Sequence, residues 1–346
     1  MKRNKISMIT ALLAFILFVG LTPSYAGDVA RTGTAAGVQV LVPVGARYLA
    51  MGGANIAEVS GVDGIFWNPA GLSSMKGNAA GVFSSMNIFD DVHVNYLGLG
   101  FNMGSLGNLG VTIKAFDFGD IPLTTVEDPD GASGRTFSPT FTTIGLAYSI
   151  MLTNAIQVGF NGKMIYESID RATASAFAVD AGIQYHGVAG INGLSLGMVI
   201  KNVGTNMQYN GSAFITQSTE SGASFPNYNK RMTSSDQLPA SFELGLGYKY
   251  AIDETNNLLV SGNFANNNFG TDAFKFGAEY MFKDMLALRA GYVLRNGLAS
   301  EDQLYHFTIG AGFNYNIGGA DLTIDYAYRD SKYFNGNNLF SLKIGF

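Results

Sequence analysis

The chain has 346 residues, no cysteine, 44 glycines, 12% aromatic and 14% charged residues, and a formal net charge of −5 at pH 7. This balance excludes disulfides, the common cysteine-based zinc sites and an N-terminal lipoprotein linkage, and it offers no basic surface for nucleic acid. Mean hydropathy is positive, +0.16, yet no apolar run after the first thirty residues reaches the ~20 that a membrane helix needs, so membrane-crossing elements here would be strands.

In chain order, Lys2, Arg3 and Lys5 precede an apolar stretch from Met8 to Leu21, and Ser24-Tyr25-Ala26 follows before Gly27. That is the order of a secretory signal peptide, residues 1–26, cleaved after Ala26; a helical anchor is the plainer alternative. Residues 27–78 have no strand series of their own. Within them, Gly45 to Val59 carries apolar residues at mixed helical spacing, broken by Gly52-Gly53. Further on, Pro69 fixes its φ and pushes Asn68 toward extended backbone, while Gly64 and Gly71 permit a tight turn. Residues 27–78 are therefore expected to pack inside or beneath a barrel as an N-terminal plug, with Trp67 against the wall. A structural turn closing the barrel floor is the simpler reading of the Asn-Pro segment.

From residue 79 onward the chain alternates apolar and polar residues over fourteen runs: 79–89, 92–103, 108–125, 140–151, 155–169, 174–186, 194–209, 239–251, 257–266, 272–283, 285–295, 303–316, 320–330 and 337–346. Successive strand side chains point oppositely. In the last run Phe340, Leu342, Ile344 and Phe346 thus oppose Leu339, Ser341, Lys343 and Gly345. In the run before it, Leu322, Ile324, Tyr326 and Tyr328 oppose Asp321, Thr323, Asp325 and Arg329. A β-sandwich alternates in the same way, but most of these runs have the ~9–11 residues of a tilted membrane strand rather than the ~5–6 of soluble sheets. The expected fold is all-β and transmembrane: a roughly 14-stranded antiparallel outer-membrane β-barrel over residues 79–346, with a plug.

An even strand count puts both termini on the periplasmic side. It makes 126–139 and 210–237 the long outer loops, and Phe346 becomes the signal read by the barrel assembly machinery. Inward Lys275, Glu279, Arg289, Arg295, Asp321, Asp325 and Arg329 form an expected charge network that argues against a greasy lumen. In the 210–237 loop, Phe214, Phe225, Pro226 and Tyr228 are candidate partner contacts. No catalytic, cofactor or metal site is expected. His93, His186 and His306 lack metal-ligand spacing, there is no nucleophile elbow, and Asp128, Asp130 and Gly131 lack the later glutamate of a calcium loop.

The stretch GARYLAMGGANIAEVSGVDGIFWNPAGL, Gly45 to Leu72, resembles the N-terminal signature of the PorV/PorQ family of outer-membrane proteins, relatives of the FadL-type transporters of hydrophobic compounds. The residues carrying it are Gly45, Ala46, Arg47, Gly52, Gly53, Asp63, Trp67, Asn68, Pro69, Ala70 and Gly71. IKNVG at 200–204, LPASFELGLGY at 238–248 and the terminal Phe346 agree with it. One departure is visible: the family's usual acidic pair is here Val62-Asp63.

The resemblance implies a 14-stranded barrel holding Asn68-Pro69-Ala70 in its lumen. It also implies a non-enzymatic role as a type IX secretion shuttle that accepts the C-terminal domain of exported cargo and meets a secretion translocon. A FadL-like carrier of hydrophobic small molecules is the alternative, and an open porin the third reading.

Overall fold

A computed structural model gives the structure over residues 29–89, 92–218, 225, 227–298 and 300–346. The signal-peptide reading of residues 1–26 lies outside them. Fourteen strands close into one antiparallel barrel. They are β1 Ala79–Phe89, β2 Val92–Asn102, β3 Asn108–Asp117, β4 Thr140–Met151, β5 Ile156–Ile169, β6 Ala172–His186, β7 Leu194–Gly204, β8 Ser241–Ala251, β9 Asn257–Asn267, β10 Ala273–Phe282, β11 Leu286–Arg295, β12 Phe307–Ile317, β13 Ala320–Arg329 and β14 Asn337–Gly345. β14 pairs with β1 from Ala80↔Gly345 to Asn87↔Asn338, which removes the last free edge. Phe346 stays in the seam, its N–H donating to the Ala79 carbonyl at 2.8 Å.

Alternation explains which face turns out. On β13 Ile324 is 48% exposed while Asp325 is 2%. On β14 Phe340 is 60% exposed and Leu339 1%. The same phase leaves Leu97, Phe160, Phe177, Leu288 and Ile309 exposed on other strands, so an apolar belt surrounds the wall. A belt of that extent is stable against hydrocarbon, not water, and the strands are long enough to cross it. Among the described residues no helix is long and apolar enough to cross a membrane.

Some strand ends differ from expectation. The third run ends at Asp117, because Ile121–Pro122 leaves the wall to pair with Thr136–Phe137. The seventh ends at Gly204, and Met207–Gln208 pairs instead with Ser235–Asp236. The twelfth starts at Phe307, four residues later than 303. The 210–237 loop has structure of its own, a ribbon of Ile215–Ser218 with Asn227–Lys230. Two-residue periodicity persists in loop ribbons that have left the barrel, which explains the ends of the third and seventh runs.

At one end of the barrel every connection is short, such as Gly318-Gly319 between β12 and β13, where both glycines have positive φ (58° and 103°) and close a tight hairpin. Long connections lie at the other end. The start of β1 and the end of β14 share the short-turn end. The expectation that both termini share one end does not extend to the chain before the wall. The Arg31 guanidinium donates to Asn268 Oδ1 (2.8 Å) and Gln237 Oε1 (2.7 Å), and Ala36 N–H to the Gln237 carbonyl (3.0 Å), all at the long-loop end. From there the chain runs through the barrel interior to Asn78, just before β1. A polar, glycine-rich inner wall lets a segment with two faces to satisfy thread it from end to end.

Candidate functional site

The interior segment is built from single turns, Ala46–Leu49 and Gly64–Trp67 as α and Pro69–Ser74 as 3-10, rather than from the longer helix that its mixed spacing allows. Short turns leave many backbone groups unpaired, and inward wall side chains satisfy them. Ser341 Oγ accepts from Ala46 N–H at 2.8 Å, Thr308 Oγ1 donates to the Ala50 carbonyl at 2.9 Å, and Asn263 Nδ2 to the Gly53 carbonyl at 3.0 Å. Asn108 Nδ2 donates to the Leu72 carbonyl at 2.7 Å. The partners come from strands on all sides.

Several residues of the Gly45 to Leu72 stretch have a physical role in this packing. Asn68 is extended (φ −155°, ψ 108°), as a residue before proline should be. Its Nδ2 donates to the Ile56 carbonyl at 2.8 Å and to the wall carbonyl of Ile183 at 3.2 Å, while Oδ1 accepts from Ala70 N–H at 3.2 Å. Pro69 opens the next turn, where a missing N–H costs nothing. Gly64 and Gly71 are absent from the positive-φ glycines. Close approach explains them instead: a Cβ on Gly64 would lie 2.8 Å from Leu72 N, and one on Gly71 would meet the Val59 carbonyl. Asp63 pairs with Lys343 of β14, and the neighbouring Val62, fully buried, joins an apolar cluster with Ile65, Leu72 and Val82. No second carboxylate fits that cluster.

Arg47 ties the segment to the wall charges. Its Nε and a terminal nitrogen reach Glu279 at 2.9 and 2.7 Å; Glu279 accepts from Arg289 at 2.6 Å, and Arg289 reaches Asp325 at 2.6 Å. Arg289 and Glu279 are direct cross-strand partners. Gly312 on the intervening β12 leaves room for the reach to Asp325, since a Cβ there would lie 2.6 Å from Arg289. The expected network therefore exists, with a corrected membership. Asp321 is exposed near the short turns and accepts from Asn316 at 2.7 Å, Lys275 belongs to a different pair, with Glu243 at 2.9 Å, and Arg295 and Arg329 make no ion pair among the described residues, Arg329 donating instead to Asn337.

Near the short-turn end, burial pushes the Glu58 carboxyl above the usual range, against a hydrogen bond to Ser195 and the nearby His186 and Lys249. His186 Nδ1 is 2.9 Å from Ser195 Oγ. Among the described residues no group of His, Asp and Glu could hold a metal. Asp128 is used within its own loop: hydrogen bonds from Ser133 hold its carboxyl below the ordinary range, and it caps Ala132 N–H at 2.8 Å.

Above the interior segment, beneath the long loops, lies a cavity of about 280 Å³. Phe66 and Trp67 form part of its lining, edge to face with centroids 5.2 Å apart. Trp67 is the only tryptophan in the chain; its Nε1 donates to the Val44 carbonyl at 3.0 Å, and its ring covers Gly53, where a Cβ would lie 2.7 Å away. Lys114 and Lys201 stand over the Phe66 ring at 5.0 and 5.7 Å.

The inward lysines of β3, β5 and β7 were not singled out from sequence, although each stands next to an outward apolar residue, Ile113, Met164 and Ile200. Of the loop candidates, Phe225 and Tyr228 are 80% and 70% exposed, Phe214 is half-buried, and Pro226 lies outside the described residues.

Where segment and wall touch, small residues are obligatory. A Cβ on Gly182 would collide with the Asn68 side-chain amide. Gly182→Ala is expected to leave the barrel assembled but loosen this contact, at about 1–3 kcal/mol. Limited proteolysis should then cut residues 37–75 faster than in the native protein; unchanged protection would show that the contact has room to relax.

No protein-family profile matches the chain, and no curated protein does. Solved structures do. The chain is similar to the toluene transporter TodX of Pseudomonas putida, with 11% identity over 85% of this chain and 96% of that one and a TM-score of 0.53. It is similar to the toluene transporter TbuX of Ralstonia pickettii, with 12% identity over 87% and 96% and a TM-score of 0.53. It is similar also to the CymD monoaromatic hydrocarbon channel, with 13% identity over 88% and 97% and a TM-score of 0.51. At such identities the likeness establishes the fold, a closed outer-membrane type of β-barrel.

Proposed function

We propose that the protein is a non-enzymatic carrier of the FadL-like kind in an outer membrane. In this reading it admits a small organic molecule from the long-loop side into the lumen cavity, with the turns of residues 46–74 standing below as a plug. The observation that supports it is the cavity itself, part apolar and aromatic and part polar, which is how ligand sites are built. The fold it shares with proteins described as toluene transporters and a hydrocarbon channel points the same way. The apolar belt and the signal-like N-terminus favour the outer membrane.

Native mass spectrometry of protein extracted in mild detergent tests this reading. A retained small-molecule adduct that disappears in Phe66→Ala is expected. Protein carrying no small molecule, in native and variant forms alike, would count against it.

The PorV-like secretion shuttle is a second reading because Tyr228 of the loop ribbon and the nearby Phe225 stand exposed. Replacing 210–237 with a short Gly-Ser turn should abolish cargo display if that reading holds, and leave it unchanged if the lumen is the functional site.

A further inference from the structure

The cavity has the wrong electrostatics for a neutral hydrocarbon. Six cationic side chains line it, Lys114, Lys163, Lys201, Lys275, Arg295 and Arg329, against two carboxylates, Asp180 and Glu243, which leaves four positive charges in excess. The carboxylates are already engaged. Asp180 pairs with Lys163 at 2.6 Å, and Glu243 is shared by Lys201 at 3.0 Å and Lys275 at 2.9 Å.

The other three cations have only neutral partners. Lys114 donates to the carbonyls of Gln39, Val40 and Val42 at 2.7, 3.3 and 3.1 Å. Arg329 donates to Asn337 Oδ1 at 3.0 and 2.7 Å and stacks on Tyr305, its guanidinium carbon 3.7 Å from the ring centroid. The Arg295 guanidinium has no hydrogen bond or ion pair among the described residues; only its backbone N–H is bonded, to Gln303. A second kind of vacancy lies across the cavity. The Thr143 hydroxyl, 7% exposed and lining the same space, has no hydrogen-bond partner. Uncompensated cations and an unpaired donor in one half-dry space are costly unless an anion completes them.

We infer that the cavity takes an organic dianion, an aromatic or otherwise flat body bearing two acid groups, with one acid group held by Arg295 and Arg329 and the body packed against Phe66 and Trp67. A planar guanidinium pair suits a carboxylate fork, and the Phe66–Trp67 edge-to-face pair offers aromatic surface for the body. One negative charge would leave most of the excess unmatched. This inference rests on the lumen-binding reading and adds the charge of the ligand to it.

Terephthalate, benzoate and benzyl alcohol share one ring and differ in charge by single steps. Each is titrated at low salt into the full-length protein in amphipol, by calorimetry and by the emission of Trp67. Terephthalate is expected to bind at least ~10-fold more tightly than benzoate, benzyl alcohol weakest, with the preference collapsing at high salt. Arg295→Gln with Arg329→Gln should cost terephthalate about 10- to 100-fold and spare benzyl alcohol. Thr143→Val, nearly isosteric, supplies an independent variant if the arginine pair impairs assembly; it too should weaken the dianion selectively.

Equal affinity for the three probes, or terephthalate binding unmoved by both variants, would overturn the dianion inference while leaving a lumen ligand site in place. Absence of binding by all three would overturn both.

Discussion

Arg289→Leu is expected to destabilise the barrel by about 3–5 kcal/mol, the cost of leaving buried carboxylates without their cation. Arg289 is buried, and it bridges Glu279 and Asp325 at 2.6 Å each. Removing it strands Asp325 and leaves Glu279 to Arg47 alone, so the loss reaches both the wall and the interior segment that Arg47 anchors. Neutralising the whole set behaves differently. Glu279→Gln, Arg289→Met and Asp325→Asn together remove the charges along with their desolvation, and most of the stability is expected to return. Urea titrations in lipid vesicles, read by heat-modifiable gel mobility, compare the three proteins. A single variant as stable as the native protein would mean that the bridge contributes nothing.

The second large effect concerns the wall's two faces. Ile324 points out at 48% exposure and its neighbour Thr323 points in, where its hydroxyl donates to Asn314 at 3.0 Å. Ile324→Arg places a guanidinium in hydrocarbon, at about 2–4 kcal/mol near the midplane, whereas Thr323→Arg enters a polar lumen at lower cost. Equal losses in the same vesicle titration would reverse the assigned phase of β13.

Much of the wall was legible because its physics is local. Lipid outside and polar interior inside impose a period of two on every strand, and the alternation of Leu322 to Arg329, with strand length pointing to a membrane wall, tells which residues face out. Strand ends were less legible. Thr136–Phe137 and Met207–Gln208 carry strand-like residues but pair within loops, a difference set by partners far along the chain.

The site lay between these cases. Asn68-Pro69 declared its backbone through the proline, and Glu279 and Arg289 declared their phase. The reach of Arg289 past Gly312 to Asp325 is tertiary and leaves no local mark. The path of residues 29–37 to the long-loop end is likewise set by contacts with Gln237 and Asn268, more than two hundred residues away. Lys114 and Lys201 sat at readable lumen positions, but only closure of the barrel brings them over Phe66.

Planar bilayers test most directly whether the interior segment closes the barrel and leaves only a ligand-sized space. Intact protein should pass almost no current, and a version lacking Gly45 to Leu72, assembled to the same heat-modifiable form, should give large steady steps. Porin-like conductance from the intact protein, or silence from the assembled deletion, would contradict the account.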